Sequence, residues 1–222
     1  MVKKIKHKIK NLFLRKLRKF YVYCTKDENN PLRKGPNGDF IFIHINKTAG
    51  SSIKTAIGLT IKNHLTAKEI IDTHGVGQVV FKNTYKFAVV RNPWDRVVSQ
   101  YKYRIKTNQC NMKDEPIPFK EWVIKVYGKD KDPYYYSNPK MFLPQVEWLK
   151  DYNEEIRINK IVRFENLNEE FATVLKDLGI NNELPHYNKT KKVDYKEAYD
   201  EETKSIVEDW FKEDIVQFGY SF

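Results

Sequence analysis

Apolar positions change period repeatedly along the chain, and each change marks an element. "FIFIHI", Phe40 to Ile45, alternates as a strand does and runs into a small polar turn. A helical segment follows from Ser51 to Leu59, and "TAKEIIDTHG" (Thr66–Gly75) reads as a short helix ended by a glycine cap. "TYKFAVV" (Thr84–Val90) is apolar almost throughout, the composition of a strand buried on both faces of a parallel sheet. Helix signals run from Pro93 to Lys106, with proline in the first turn, where its missing N–H costs nothing. From Thr107 to Pro144 the periodicity weakens, leaving one predicted helix (Phe119–Tyr127) and the aromatic loop "DPYYYSNP". "RINKIVRFE" (Arg157–Glu165) predicts a third strand, "NEEFATVLKDLG" a helix, and Asp200 caps a last helix reaching Phe218. Strands alternating with helices, without internal repeats, predict an α/β domain whose central parallel sheet is flanked by helices.

A chain of 222 residues holds one domain with a real core, and 41% apolar with 14% aromatic content excludes wholesale disorder. The net charge of +11 changes meaning once located. Residues 1–26 carry ten Lys or Arg and no acid, so 30 basic residues face 29 acidic ones in the remainder. The predicted division is therefore a basic N-terminal helix and linker at 1–39, the linker being Thr25–Asp39, and a nearly neutral domain at 40–222. In the tail, Ile5, Ile9, Leu12, Leu17 and Phe20 recur at helical spacing among the cations. Such a helix suits an anionic membrane surface; packing its stripe on the domain is the equal alternative. No reading element for nucleic acid accompanies the charge. Cys24 and Cys110 stand in no metal-binding or redox spacing, as expected of free thiols in a reducing compartment. With no secretory-type apolar run after the basic start and no stretch of about 20 apolar residues, a cytoplasmic protein is expected, peripheral on a membrane if the tail binds one.

Two loops carry candidate chemistry. "NKTAGSS" follows the first strand and opens a helix, where the N–H groups of residues 48–52 lack intrahelical partners and the dipole favours an anion. Small residues admit a phosphate to the backbone, Lys47 adds a charge, and Thr48, Ser51 and Ser52 offer hydroxyls. The usual nucleotide loop G-x-x-x-x-G-K-[ST] is absent, because here lysine precedes glycine. In "VVRNPWDRVVSQY", Arg91 ends the second strand and Ser99 lies eight residues on, so a guanidinium fork and a hydroxyl can meet one phosphate. Asp95 and Arg96 read as structural, and Trp94 and Tyr101 as core.

Together these loops resemble the paired motifs of sulfotransferases that use 3′-phosphoadenosine 5′-phosphosulfate (PAPS). "HINKTAGSS" is similar to the element H-[IV]-P-K-T-[GA]-G-[ST]-S that wraps the 5′-phosphosulfate. "VRNPWDRVVSQY" is similar to the element V-R-[ND]-P-[WYF]-[ED]-R-[LV]-[VL]-S-x-[YF] that binds the 3′-phosphate. "HLTAKEI", "RFENL", "LPHYNKT" and "DIVQFGYSF" extend the likeness to the compact carbohydrate-type branch over about residues 40–222. Asn46 departs from the motif's proline, which is expected to loosen the start of the loop without removing a ligand. The resemblance implies a single P-loop-like domain in which Lys47 contacts the bridging oxygen. Backbone and hydroxyls of Thr48, Ala49, Gly50, Ser51 and Ser52 hold the 5′-phosphate, and Arg91 with Ser99 holds the 3′-phosphate. The acceptor it implies is a carbohydrate or glycolipid hydroxyl, with no metal.

The acceptor must lose a proton, and histidine is the natural base. His7 lies in the tail, His186 in a late loop, and His44 near the first strand's end reads as structural. His64, at the place where this branch carries its histidine, is favoured over His74, which could simply end a short helix. Lys189 and Lys191 read as solvated surface, Arg163 and Glu165 as a strand-end ion pair, and Trp122 with Tyr134–Tyr136 as core rather than sugar platforms. The alternatives are a P-loop kinase, which needs the missing G-x-x-x-x-G-K-[ST], and a non-catalytic basic protein that binds anionic membrane or glycan.

Overall fold

The computed structural model describes residues 31–59, 64–73, 76–185 and 194–222. The basic stretch 1–26, His74 and the loop with His186, Lys189 and Lys191 lie outside the described residues. Among the described residues, four strands form one sheet in sequence order: β1 (Leu32–Gly35), β2 (Gly38–Ile43), β3 (Tyr85–Val90) and β4 (Lys160–Arg163). β2, β3 and β4 are parallel, and β1 pairs antiparallel with β2 at the edge. The molecule is thus the α/β domain that the alternating pattern predicts, its sheet mostly parallel and flanked by helices.

The strand period of two decides which core each residue joins. Phe40, Phe42, Phe87 and Val89 point to one face, where they meet Ile53, Phe171 and Val174. Ile41, Ile43, Ala88 and Val90 point to the other, against Ile70, Phe81, Trp148 and Phe218. Both faces are therefore dry, as parallel strands require. The α-helices of the described residues are α1 (Gly50–Ala56), α2 (Ala67–Thr73), α3 (Gly77–Asn83), α4 (Pro93–Lys106), α5 (Phe119–Tyr127), α6 (Gln145–Leu149), α7 (Leu167–Leu178), α8 (Glu201–Trp210) and α9 (Lys212–Phe218). A third cluster, centred on Trp94, Trp122, Phe142 and Phe211, packs α4, α5 and α8 into a lobe beyond the sheet.

Several expectations need correction. The linker predicted over Thr25–Asp39 contains β1, because Pro36 and Asn37 turn the chain between the paired Gly35 and Gly38, and Leu32 is buried. Asn37 holds the turn to the end of α7 through its amide on Asp177 O at 3.0 Å. α3 has weak sequence signals and ends where Lys86, itself buried on β3, donates Nζ to Phe81 O at 2.7 Å and Thr84 O at 2.6 Å. A cation on a helix's last carbonyls is favourable, although burial lowers this lysine's pKa. The last helix is two, broken at Phe211 (φ −105°, ψ 22°), whose N–H closes α8 on Val207 O while its carbonyl begins α9.

That break aims Asp214 into the core. Its carboxylate is fully buried and accepts from Gln145 N at 2.7 Å and Val146 N at 2.8 Å, so α9 caps the start of the short α6. Burial pushes this carboxyl's pKa up, against the pull of those N–H donors and of Arg96. Removing the acceptor strands buried donors, so Asp214→Ala should lower unfolding stability by roughly 2–4 kcal/mol. Urea denaturation checks this; an unchanged midpoint would show that α6 keeps its place without the cap.

Candidate active site

Parallel neighbours bring the C-terminal ends of β2 and β3 to one edge of the sheet, where α/β folds place ligands. The loop after β2 and the loop after β3 therefore meet. In the first, Lys47 (φ 66°) and Ala49 (φ 62°) both adopt the left-handed region, a conformation that costs non-glycine residues free energy and persists only where the surroundings hold it. α1 has no side-chain cap, and its first internal bond is Ile53 N to Ala49 O, so the N–H groups of Gly50, Ser51 and Ser52 have no intrahelical acceptor.

Two arginines of the second loop grip the first by its carbonyls. Arg91 Nη1 donates to Lys47 O at 3.2 Å, and Arg96 Nε donates to Asn46 O at 3.2 Å. In a trans peptide the N–H points opposite to the C=O. Carbonyls turned toward the arginines therefore turn the N–H groups of Lys47 and Thr48 the other way. This clamp fixes the direction of the loop's backbone donors.

Asn46, where the resembled motif has proline, does not loosen the loop as expected. Its Oδ1 accepts from Arg96 Nη2 at 2.6 Å, and its Nδ2 donates to Met141 O at 2.9 Å. Arg96 is fully buried and gives Nη1 to Leu143 O, so Asn46 is the only side chain among these acceptors. Thr48 is also buried, and its hydroxyl donates to Ile45 O at 2.9 Å. The hydroxyl read as a ligand donor thus shapes the loop, which leaves Thr48 its backbone N–H. Ser51 is exposed and Ser52 half-buried. Gly50 is required by packing: a Cβ there would lie 1.7 Å from His44 Nε2.

In the second loop, Asn92 caps α4, its Oδ1 accepting from Trp94 N at 3.1 Å, with Pro93 in the first turn. Asp95, one turn on, takes the Arg91 fork at both ends, 2.9 Å from Nε and 2.8 Å from Nη2. Of the guanidinium's five N–H groups, these contacts and the Lys47 carbonyl engage three, and the other two have no hydrogen-bond partner among the described residues. The Phe164 ring lies 4.1 Å beneath it. Ser99, half-buried, follows Asp95 by one turn on the same face of α4. Gln145 braces the Arg91 backbone, accepting from its N–H and donating to its carbonyl, each at 2.9 Å, while Asp214 holds Gln145. Arg163 and Glu165 are not partners of one another. Glu165 accepts from Asn92 N at 2.7 Å and Tyr220 OH at 3.1 Å, and Arg163 donates to Phe218 O.

Lys47 Nζ lies 4.0 Å from the centre of the Tyr103 ring. Burial, then the charges of Arg91 and Lys106, bring its pKa down to about 8. His64 Nδ1 is 2.9 Å from His44 O. A carbonyl only accepts, so Nδ1 carries the proton and Nε2 the lone pair. The two imidazoles are 4.0 Å apart, and Trp148 meets His64 edge-on. Burial is the main cause lowering the His64 pKa, with Lys54, Lys140 and Arg96 adding to it and the bond to His44 O opposing. His44 is driven down to about 3, chiefly by burial, and is neutral and structural. Trp122 is wholly buried, as expected, while Tyr134 is 56% exposed. Among the described residues no group of three or more His, Cys, Asp or Glu comes together, and no helix is long and apolar enough to cross a membrane.

Residues 32–221 match the model of the Sulfotransferase family. Among solved structures, a sulfotransferase from Alicyclobacillus acidocaldarius matches at 17% identity and a TM-score of 0.36, over 60% of this chain and 52% of that one. The chain thus spans about half the length of that protein. No curated protein matches it. Restoring the motif's proline should harm this version of the loop, since Arg96 and Met141 O both lose a buried partner. Asn46→Pro is expected to cost roughly 2 kcal/mol and to lower the thermal midpoint by about 4–8 °C; an equal or higher midpoint would contradict the role assigned to Asn46.

Proposed function

Because the chain belongs to the sulfotransferase family, we propose that it moves the sulfuryl group of PAPS to a hydroxyl of a carbohydrate or glycolipid. The observation that carries this reading is the clamp of Arg91 and Arg96 on the carbonyls of Asn46 and Lys47, which aims backbone donors and two guanidinium N–H groups at one edge of the sheet. Such a site fits a ligand with two separate anionic groups. The N–H groups of residues 48–52 hold the 5′-phosphate, with Ser51 and Ser52 adding hydroxyls. Arg91 and Ser99 hold the 3′-phosphate.

The acceptor oxygen attacks sulfur as the bond from sulfur to the bridging oxygen breaks, releasing 3′-phosphoadenosine 5′-phosphate. His64 Nε2 takes the acceptor's proton, and Lys47 donates to the bridging oxygen as charge develops there, the kind of contact that supplies much of an enzyme's advantage. The basic stretch 1–26 would bring the enzyme to an anionic surface that carries a lipid-linked glycan; co-sedimentation with anionic vesicles tests that role.

Labelled PAPS offered with a panel of glycans should yield a sulfated product. Lys47→Ala should reduce its rate by about a hundredfold or more, and normal turnover by that variant would overturn the reading. The pH profile has a calculable sign. His64 must be neutral, so on the acid side kcat/KM falls as pH drops through a pKa held below the ordinary imidazole value. Lys47 must be charged, so on the alkaline side kcat/KM falls as pH rises past about 8. A rate that keeps climbing well above that pH would exclude Lys47 as the donor.

A further inference from the structure

The second loop's helix carries a residue that neither motif assigns. Tyr103 stands one turn beyond Ser99 on α4, is 44% exposed, and belongs to none of the three apolar clusters. A ring this exposed gains little from core packing. What the ring does meet is Lys47 Nζ, 4.0 Å from its centre. That ammonium is in an awkward place. It extends from a left-handed backbone, is half-buried, and feels the charges of Arg91 and Lys106. Among the described residues it makes no ion pair, and the negative face of an aromatic ring is the feature that offsets these costs. An acid in that position would compete with the anionic ligand for Lys47, whereas a ring holds the cation weakly enough to release it.

We propose that Tyr103 is a positioning residue, whose ring holds the Lys47 ammonium beside the loop until the phosphosulfate draws it to the bridging oxygen. The catalytic part of this rests on the transferase reading; the ring contact does not. The ring rather than the hydroxyl does the work, so phenylalanine should serve and leucine should not.

The test measures Lys47 directly. Competitive amine labelling across a pH series, read by mass spectrometry, gives the titration midpoint of Lys47 in the wild type, Tyr103→Phe and Tyr103→Leu, with no need for turnover. Loss of a partly exposed cation–π contact should lower the midpoint in Y103L by about half a pH unit, while Y103F keeps the wild-type value. In sulfuryl-transfer assays the alkaline limb of the kcat/KM profile, which reports the free enzyme, should move with it in Y103L and stay in Y103F. An unmoved midpoint in Y103L, or an equal shift in both variants, would overturn the proposal, as would a labelling shift in Y103L with an unmoved alkaline limb. A labelling shift without turnover in the wild type would overturn the transferase reading and leave the ring contact standing.

Discussion

The backbone carbonyls of Asn46 and Lys47 each accept a hydrogen bond from an arginine, and the rest of the site depends on that clamp. Without it, two residues of the loop would have little reason to stay near the left-handed region. The clamp fixes which way the peptide planes face, so the loop's donors point away from the arginines. It also joins the loops after β2 and β3 into a single unit. The cost is a fully buried guanidinium at Arg96. Asn46, Leu143 and the nearby charge of Asp214 offset it.

The support reaches far along the chain. Asp214 on α9 holds Gln145, Gln145 holds the Arg91 backbone, and Arg91 holds Lys47. Near the C-terminus, Ser221 O accepts from the Asn92 side chain at 2.9 Å, and Tyr220 reaches Glu165. The terminal "DIVQFGYSF" thus acts as a brace behind the second loop. Its likeness to a family element has a structural cause.

Strands and the longer helices were legible because their signals are local. Phe40–Ile45 alternates, Thr84–Val90 is apolar on both faces, and Asn92 with Pro93 starts a helix at Pro93 as any cap would. The two loops were legible for the same reason, since backbone donors at a strand–helix junction are implied by a few adjacent residues. What escaped notice depends on distant partners. Gln145 and Asp214 are separated by 69 residues, and Asn46 reaches Met141 across 95. No spacing rule announces such pairs. Asn46 in particular looked like a loss because its gain lies with a buried arginine fifty residues away. The sequence offers Thr48 as a ligand hydroxyl because nothing in it reveals that this hydroxyl turns back to Ile45. β1 was hidden by the Gly, Pro and Asn residues that make its turn with β2.

We propose that two anion sites, one per loop, read one nucleotide. Calorimetric titration with 3′-phosphoadenosine 5′-phosphate and with adenosine 5′-phosphate separates them, because the two ligands differ only in the group assigned to Arg91 and Ser99. The wild type should bind the bisphosphate at least about tenfold more tightly, the least expected of a charge-assisted contact, and Arg91→Ala should erase most of that difference. Equal affinity of the wild type for both nucleotides would contradict the assignment of the second loop.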